Sequence, residues 1–172
     1  AEIAAHIRSS SGYSLSPSSL LSIPAGTKIV LPSPNGSTLA YSAKGEYILA
    51  ACLRNYAAVA AFVERCASSV TVIAAGERWH DGSIRFALED IIGAGAVISA
   101  LSGKRSPEAQ AAASLFSSVS ASLLSTVQQC SSGRELIERG FPNDVTLAVQ
   151  AGCSTAVPRL LNGAFINAAE QN

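Results

Sequence analysis

Glu89 and Asp90 stand side by side in an otherwise apolar stretch, Phe86-Ala87-Leu88-Glu89-Asp90-Ile91-Ile92-Gly93-Ala94-Gly95. Carboxylates are expensive to bury and are seldom fully buried unless paired or bound to metal. On a helix, adjacent positions point about 100° apart, so one of the two can look into the core while the other flanks it. Hard oxygen donors of this kind suit Mg²⁺, which takes one or two carboxylates and completes its shell with water and phosphate oxygens. The competing reading is a solvated first helical turn, where acids complement the helix dipole. Upstream, Glu77 follows Gly76 at the end of the most strand-like run in the chain, and Arg78, His80 and Asp81 share its loop.

A second candidate is Asn35-Gly36-Ser37-Thr38, which follows an extended run and two prolines and enters a helix. Glycine lets backbone approach a ligand, the hydroxyls add donors, and helix-start amides favour an anion. The segment matches neither a Walker A loop nor G-x-G-x-x-G, so a nucleotide is not indicated. Its alternative reading is a turn with an N-cap. His6 and His80 lack the i,i+4 partner that zinc would require. Cys52, Cys66, Cys130 and Cys153 lie in separate segments without a C-x-x-C pair, and read as reduced, buried thiols. Cys52, just before Arg54 and Asn55, lies nearest to a helix start that could activate it. No G-x-S-x-G elbow occurs.

Strand and helix patterns alternate along the chain. Extended apolar runs fall at 27–31, 47–52 and 70–75, the last continuous and β-branched, as expected of an interior parallel strand. Helical patterns cover 39–43, 56–66 (with Asn55 as its cap), 86–101, 133–138 and 143–150. Ser106-Pro107-Glu108 combines a capping serine, proline at the first helical position and an early acid, and opens a helix to about 128. The pattern predicts an α/β fold: three α/β/α layers around a mixed or mostly parallel sheet, with ligands at the carboxyl ends of the strands.

Composition narrows the partners. The 172 residues carry twelve basic and twelve acidic side chains, and charged residues make up 14% against a usual value of roughly 25%. That balance argues against a nucleic-acid footprint and a polybasic membrane patch. The 48% hydrophobic content supports a packed core and excludes a disordered chain. No apolar run reaches the roughly 18–20 residues of a membrane span, and no signal peptide is evident, so a cytoplasmic location is expected. The chain contains no methionine and starts in a helix-like stretch, from which a missing upstream part is expected.

The ordered set of motifs resembles the 2-phosphosulfolactate phosphatase family. The set comprises Leu31-Pro32-Ser33-Pro34-Asn35-Gly36-Ser37-Thr38, Cys52-Leu53-Arg54-Asn55-Tyr56-Ala57-Ala58-Val59, Val72-Ile73-Ala74-Ala75-Gly76-Glu77 and Leu88-Glu89-Asp90-Ile91-Ile92-Gly93-Ala94-Gly95. Tyr13-Ser14-Leu15-Ser16-Pro17 and Gly140-Phe141-Pro142-Asn143-Asp144-Val145 resemble further family elements. The resemblance implies one α/β domain, 1–172, forming the C-terminal two-thirds of a longer chain, and a Mg²⁺-dependent hydrolase converting 2-phosphosulfolactate to sulfolactate and phosphate, a step of the coenzyme M type.

On this reading Asn35, Gly36, Ser37 and Thr38 cradle phosphate, and Glu89 or Asp90 holds Mg²⁺. Arg54 or Arg78 clamps a second anionic group, Asn55 orients the substrate, and Glu77 takes a metal-water or acid/base role. The expected partner is a small anionic phosphorylated metabolite, with no nucleic acid and no membrane; a homo-oligomer is left open. The rival reading is a non-catalytic anion-binding module, or a fragment without activity of its own.

Overall fold

A computed structural model describes residues 16–24, 26–30, 35–79 and 81–170. The 31–34 run, His6, His80 and most of the 13–17 element lie outside the described residues. The fold is α/β in content: eight α-helices and two small sheets among the described residues. In chain order the elements are α1 (Pro17–Leu20), α2 (Gly36–Ser42), α3 (Tyr56–Cys66), β1 (Glu77–Arg78), β2 (Ile84–Arg85), α4 (Leu88–Ser99), α5 (Pro107–Val119), α6 (Leu123–Gln129), α7 (Ser131–Glu138), α8 (Pro142–Ala148), β3 (Pro158–Leu161) and β4 (Ala164–Asn167).

Helices form where periodicity and caps agree. α3 spans the predicted 56–66 and buries Val59, Ala60 and Val63 along one stripe. α5 starts as expected, with the Ser106 hydroxyl accepting the Ala109 N–H at 3.2 Å and Pro107 at the first position. The long helix expected to reach 128 instead breaks at a 3₁₀ turn, Ser120–Ser122. The hydroxyls of Ser117, Ser118 and Ser120 bond back to the carbonyls of Ala113, Leu115 and Ser117, a competition with the helix ladder that bends helices.

α4 and α5 make the tightest helix pair, at a point where Gly95 lies against the Ala112 carbonyl. Three apolar clusters form the core. Leu53, Ile92, Ala96 and Leu123 centre the first; Val59, Val63, Val157 and Ala168 the second; Val127, Cys130 and Val145 the third.

The sheets correct the sequence expectation. Both are antiparallel and two-stranded, β1 with β2 and β3 with β4. Residues 70–75 are not an interior strand: they run extended without a backbone ladder, with Val70 42% and Ile73 59% exposed. A β-branched run supplies strand propensity, but a strand exists only where a neighbour completes the ladder. Residues 27–30 are likewise extended, exposed and unpaired in any sheet. The 47–52 run pairs antiparallel with β3 through a bridge between Leu49 and Arg159. Around it the Ala50 N–H donates to the Pro158 carbonyl and the Leu160 N–H to Ile48. Gly152 and Ser154 extend this seam onto the carbonyls of Leu53 and Arg54.

Candidate active site

The β1–β2 hairpin and the first turn of α4 bring the expected acids to one place. The Gly76 N–H donates to Asp90 Oδ2 at 2.8 Å, tying the end of the extended run to α4. Asn35 Nδ2 donates to Glu77 Oε2 at 3.0 Å, so the residue before α2 serves the hairpin instead of capping its own helix. Glu89 Oε2 accepts the Cys130 thiol at 3.4 Å, at the start of α7. The two carboxylates of the acidic pair thus diverge, one to Gly76 and one to Cys130, as a helical offset of about 100° dictates.

The electrostatics are those of crowded like charge. Burial pushes the Asp90 carboxyl up, Glu89 and Glu77 push it further, and the Gly76 N–H opposes them. Burial also raises the Cys130 thiol, and Glu89 adds to the effect, so this cysteine is held in its protonated form. Among the described residues no group of three or more Asp, Glu, His or Cys side chains could hold a metal ion. A single carboxylate from this pair could serve Mg²⁺ only in the open mode, in which one or two carboxylates hold the ion and water and ligand oxygens fill the rest. The mutual repulsion at Asp90 is what a divalent cation would relieve.

Other expected residues lie elsewhere. Asn55 is buried and its amide is fully engaged: Oδ1 accepts from the Cys52 N–H at 2.8 Å, and Nδ2 donates to the carbonyls of Ala50 at 3.2 Å and Ala156 at 3.1 Å. It fastens the 50–55 turn to the tail and makes no side-chain cap. Arg54 Nη1 binds the Leu147 carbonyl at 3.0 Å and the Gln150 side chain, at the end of α8. Arg78 Nη1 binds the Gly82 carbonyl across its own hairpin at 2.8 Å. Gly36, Ser37 and Thr38 form the first turn of α2 beside Asn35. The thiols also depart from expectation, since Cys52 and Cys153 are exposed while Cys130 is buried. A cavity of about 710 Å³ lies between residues 67–74, α4 and α5, and no candidate site residue lines it.

Sequence reasoning missed Arg85. It is buried, directly opposite Glu77 in the β1–β2 register, ion-paired to Glu135 and hydrogen-bonded to the Ser132 hydroxyl at 3.3 Å. Its neighbours Ile84 and Phe86 are 79% and 69% exposed, which inverts the polarity that alternation would assign.

Family comparison decides what this arrangement belongs to. The 2-phosphosulpholactate phosphatase profile matches residues 9–163. The chain belongs to that family. It is 32% identical over 136 residues to the "Probable 2-phosphosulfolactate phosphatase" of Gloeobacter violaceus, covering 78% of this chain and 56% of the relative. The protein of the same name from Thermotoga maritima is 31% identical over 142 residues, covering 82% and 60%. The "2-phosphosulfolactate phosphatase" of Methanothermobacter thermautotrophicus is 30% identical over 139 residues, covering 80% and 58%. The chain therefore spans less than two thirds of the length of these relatives. Two elements of the 2-phosphosulfolactate phosphatase resemblance meet in space: the hydroxyls of Ser16 and Ser18 donate to Asp144 Oδ1 at 2.8 and 2.7 Å, across α1 and α8. No helix among the described residues is long and apolar enough to cross a membrane.

Proposed function

We propose that the chain carries the acidic centre of a phosphoric monoester hydrolase acting on a small acidic metabolite, with 2-phosphosulfolactate as substrate and sulfolactate and phosphate as products. The observation that carries the reading is that Asn35 bonds Glu77 while the neighbouring Gly76 N–H bonds Asp90, in a chain of this family. Glu89 or Asp90 would hold Mg²⁺, directly or through water, which when bound supplies positive charge to offset that of the transferring phosphoryl group. Glu77, oriented by the Asn35 amide, is the acid/base group within reach of the same centre. Asn35, Gly36, Ser37 and Thr38 present hydroxyls and backbone N–H groups to the phosphate. Arg78 is exposed at the hairpin and meets the incoming anion; Arg54 and Asn55 act indirectly, by fixing the 50–55 turn. Three α/β/α layers are proposed for the domain on its membership of the family, not on the two-stranded sheets among the described residues. A coenzyme M-type pathway and a cytoplasmic location accompany this reading.

The test is phosphate release from 2-phosphosulfolactate and from a generic monoester, with Mg²⁺ or with EDTA. Glu89→Gln and Asp90→Asn are near-isosteric and should lower Mg²⁺ affinity or turnover about ten-fold or more, the order found when a metal's surroundings are disturbed. Turnover that ignores EDTA, or two variants indistinguishable from the parent, would remove the metal assignment. Well-folded protein without metal-dependent turnover would favour a non-catalytic anion-binding module.

A further inference from the structure

Cys130 is a buried cysteine that the proposed chemistry leaves unused. It shares an apolar cluster with Val127 and Val145. Leu88, the first residue of α4, packs against the same cluster, so the acidic turn is seated directly on it. The sulfur is also fixed from behind. Cys130 caps α7, with its Sγ accepting the Gly133 N–H at 3.4 Å, and a Cβ on Gly133 would strike the Val127 carbonyl. The corner between α6 and α7 is thus too tight for the sulfur to drift. Capping alone does not call for cysteine, because sulfur is a weak acceptor and the favoured caps carry oxygen.

The thiol has one proton and two oxygens to receive it. Val127 O lies 3.0 Å from Sγ and Glu89 Oε2 lies 3.4 Å from it. The first contact is local, to a carbonyl three residues back, and its length follows from the tight corner. The second joins two separate helices, and a charged acceptor makes a hydrogen bond roughly twice as strong as a neutral one. Among the described residues the Glu89 carboxylate has no other hydrogen bond, so Oε1 is left open. A carboxylate held at one oxygen offers the other in a fixed direction, and carboxylates that bind metals are themselves held by hydrogen bonds in this way.

We propose that Cys130 is a positioning residue for Glu89: its S–H anchors Oε2, and Oε1 is the oxygen that faces a bound cation. The proposal rests on the metal reading for the identity of the cation but not for the anchor, and the two are measured separately. The anchor is read from the infrared S–H stretching band of Cys130 in the whole chain in EDTA, assigned by its loss in Cys130→Ala. Glu89→Gln replaces a charged acceptor by a neutral one, so the band should move to higher frequency. A band that Glu89→Gln leaves in place puts the proton on Val127 and overturns the proposal. The consequence is read by calorimetric titration with Mg²⁺. Cys130→Ala keeps the corner apolar but removes the donor, and should bind Mg²⁺ about ten-fold or more weakly than the parent. Cys130→Ser restores a donor and should recover most of that loss. A packing role predicts the reverse order, since an unpaired hydroxyl in an apolar cluster is costlier than a methyl group. Parent-like binding by Cys130→Ala, or equal weakening in both variants, overturns the proposal even where the band has moved. A parent chain that binds no Mg²⁺ but shows the Glu89-dependent band refutes the metal assignment and upholds Cys130 as the anchor of Glu89.

Discussion

Gly93 and Gly95 lie two positions apart on α4, and alanine at each should act in opposite directions. A Cβ on Gly95 would lie 2.1 Å from the Ala112 carbonyl oxygen, 2.7 Å from its carbon and 3.0 Å from the Phe116 Cβ. Ordinary contact begins near 3.4 Å, so α4 and α5 would have to part by more than 1 Å. The obstacle is backbone, which cannot rotate aside. Overpacking of this kind costs about 3 kcal/mol at the upper end of its usual range, and alanine's helix preference returns about 1 kcal/mol. Gly95→Ala should therefore lose about 2 kcal/mol, or about 4–8 °C in Tm for a chain of this size. A Cβ on Gly93 meets nothing within 4 Å. Gly93→Ala should gain about 0.5–1 kcal/mol from reduced backbone freedom in the unfolded chain. Urea unfolding followed by far-ultraviolet circular dichroism measures both, with a constant m-value confirming that stability alone has changed. Parent-like stability in Gly95→Ala, or an equal loss in Gly93→Ala, would refute the close approach of the two helices that set the acidic turn in place.

Two further measurements bear on the surroundings. Burial would raise the Asp144 carboxyl, but the Ser16 hydroxyl and the hydroxyl and N–H of Ser18 outweigh it and hold the group below its ordinary value. A depressed folded value means a contribution fully present above the unfolded value of about 3.9 and lost as pH falls through the folded one. The Tm gap between parent and Asp144→Asn should thus be widest near neutrality and close below about pH 4; a gap that persists in acid would contradict the pinning of α1. Ellman's reagent should modify the exposed Cys52 and Cys153 quickly, and the buried, protonated Cys130 only on unfolding; equal rates at Cys130 and Cys153 would place Cys130 wrongly.

Helices were the readable part of the sequence, because each carries its own evidence. The stripe of Val59, Ala60 and Val63 and the Ser106 cap are local features, and both elements lie where periodicity placed them. Strands are not local. Nothing within 70–75 says whether a neighbour will complete its ladder, and the 47–52 run found an antiparallel partner about a hundred residues away. The β3–β4 hairpin did carry a signal that was not used: Asn162 and Gly163 both adopt positive φ, the requirement of a tight two-residue turn, and Asn-Gly is its usual sequence. Within the site, the acids were legible because charge in apolar surroundings is conspicuous. Arg85 was hidden by the same logic, since Ile84-Arg85-Phe86 reads as two inward side chains around one outward charge.

The seam between residues 48–55 and 152–160 also fixes an order of events in synthesis. Its hydrogen bonds, from Leu160 to Ile48 at one end and Gly152 to Leu53 at the other, join segments that leave the ribosome far apart in time. At about 5–20 residues per second, the earlier segment waits roughly 5–20 s for the later one. The helices between them bury much of their surface against one another and can condense during that interval, since local contacts form fastest. Closure of the seam is then the last and slowest event, and until it happens the nascent chain carries an open strand edge that a chaperone, or another nascent chain, can reach first.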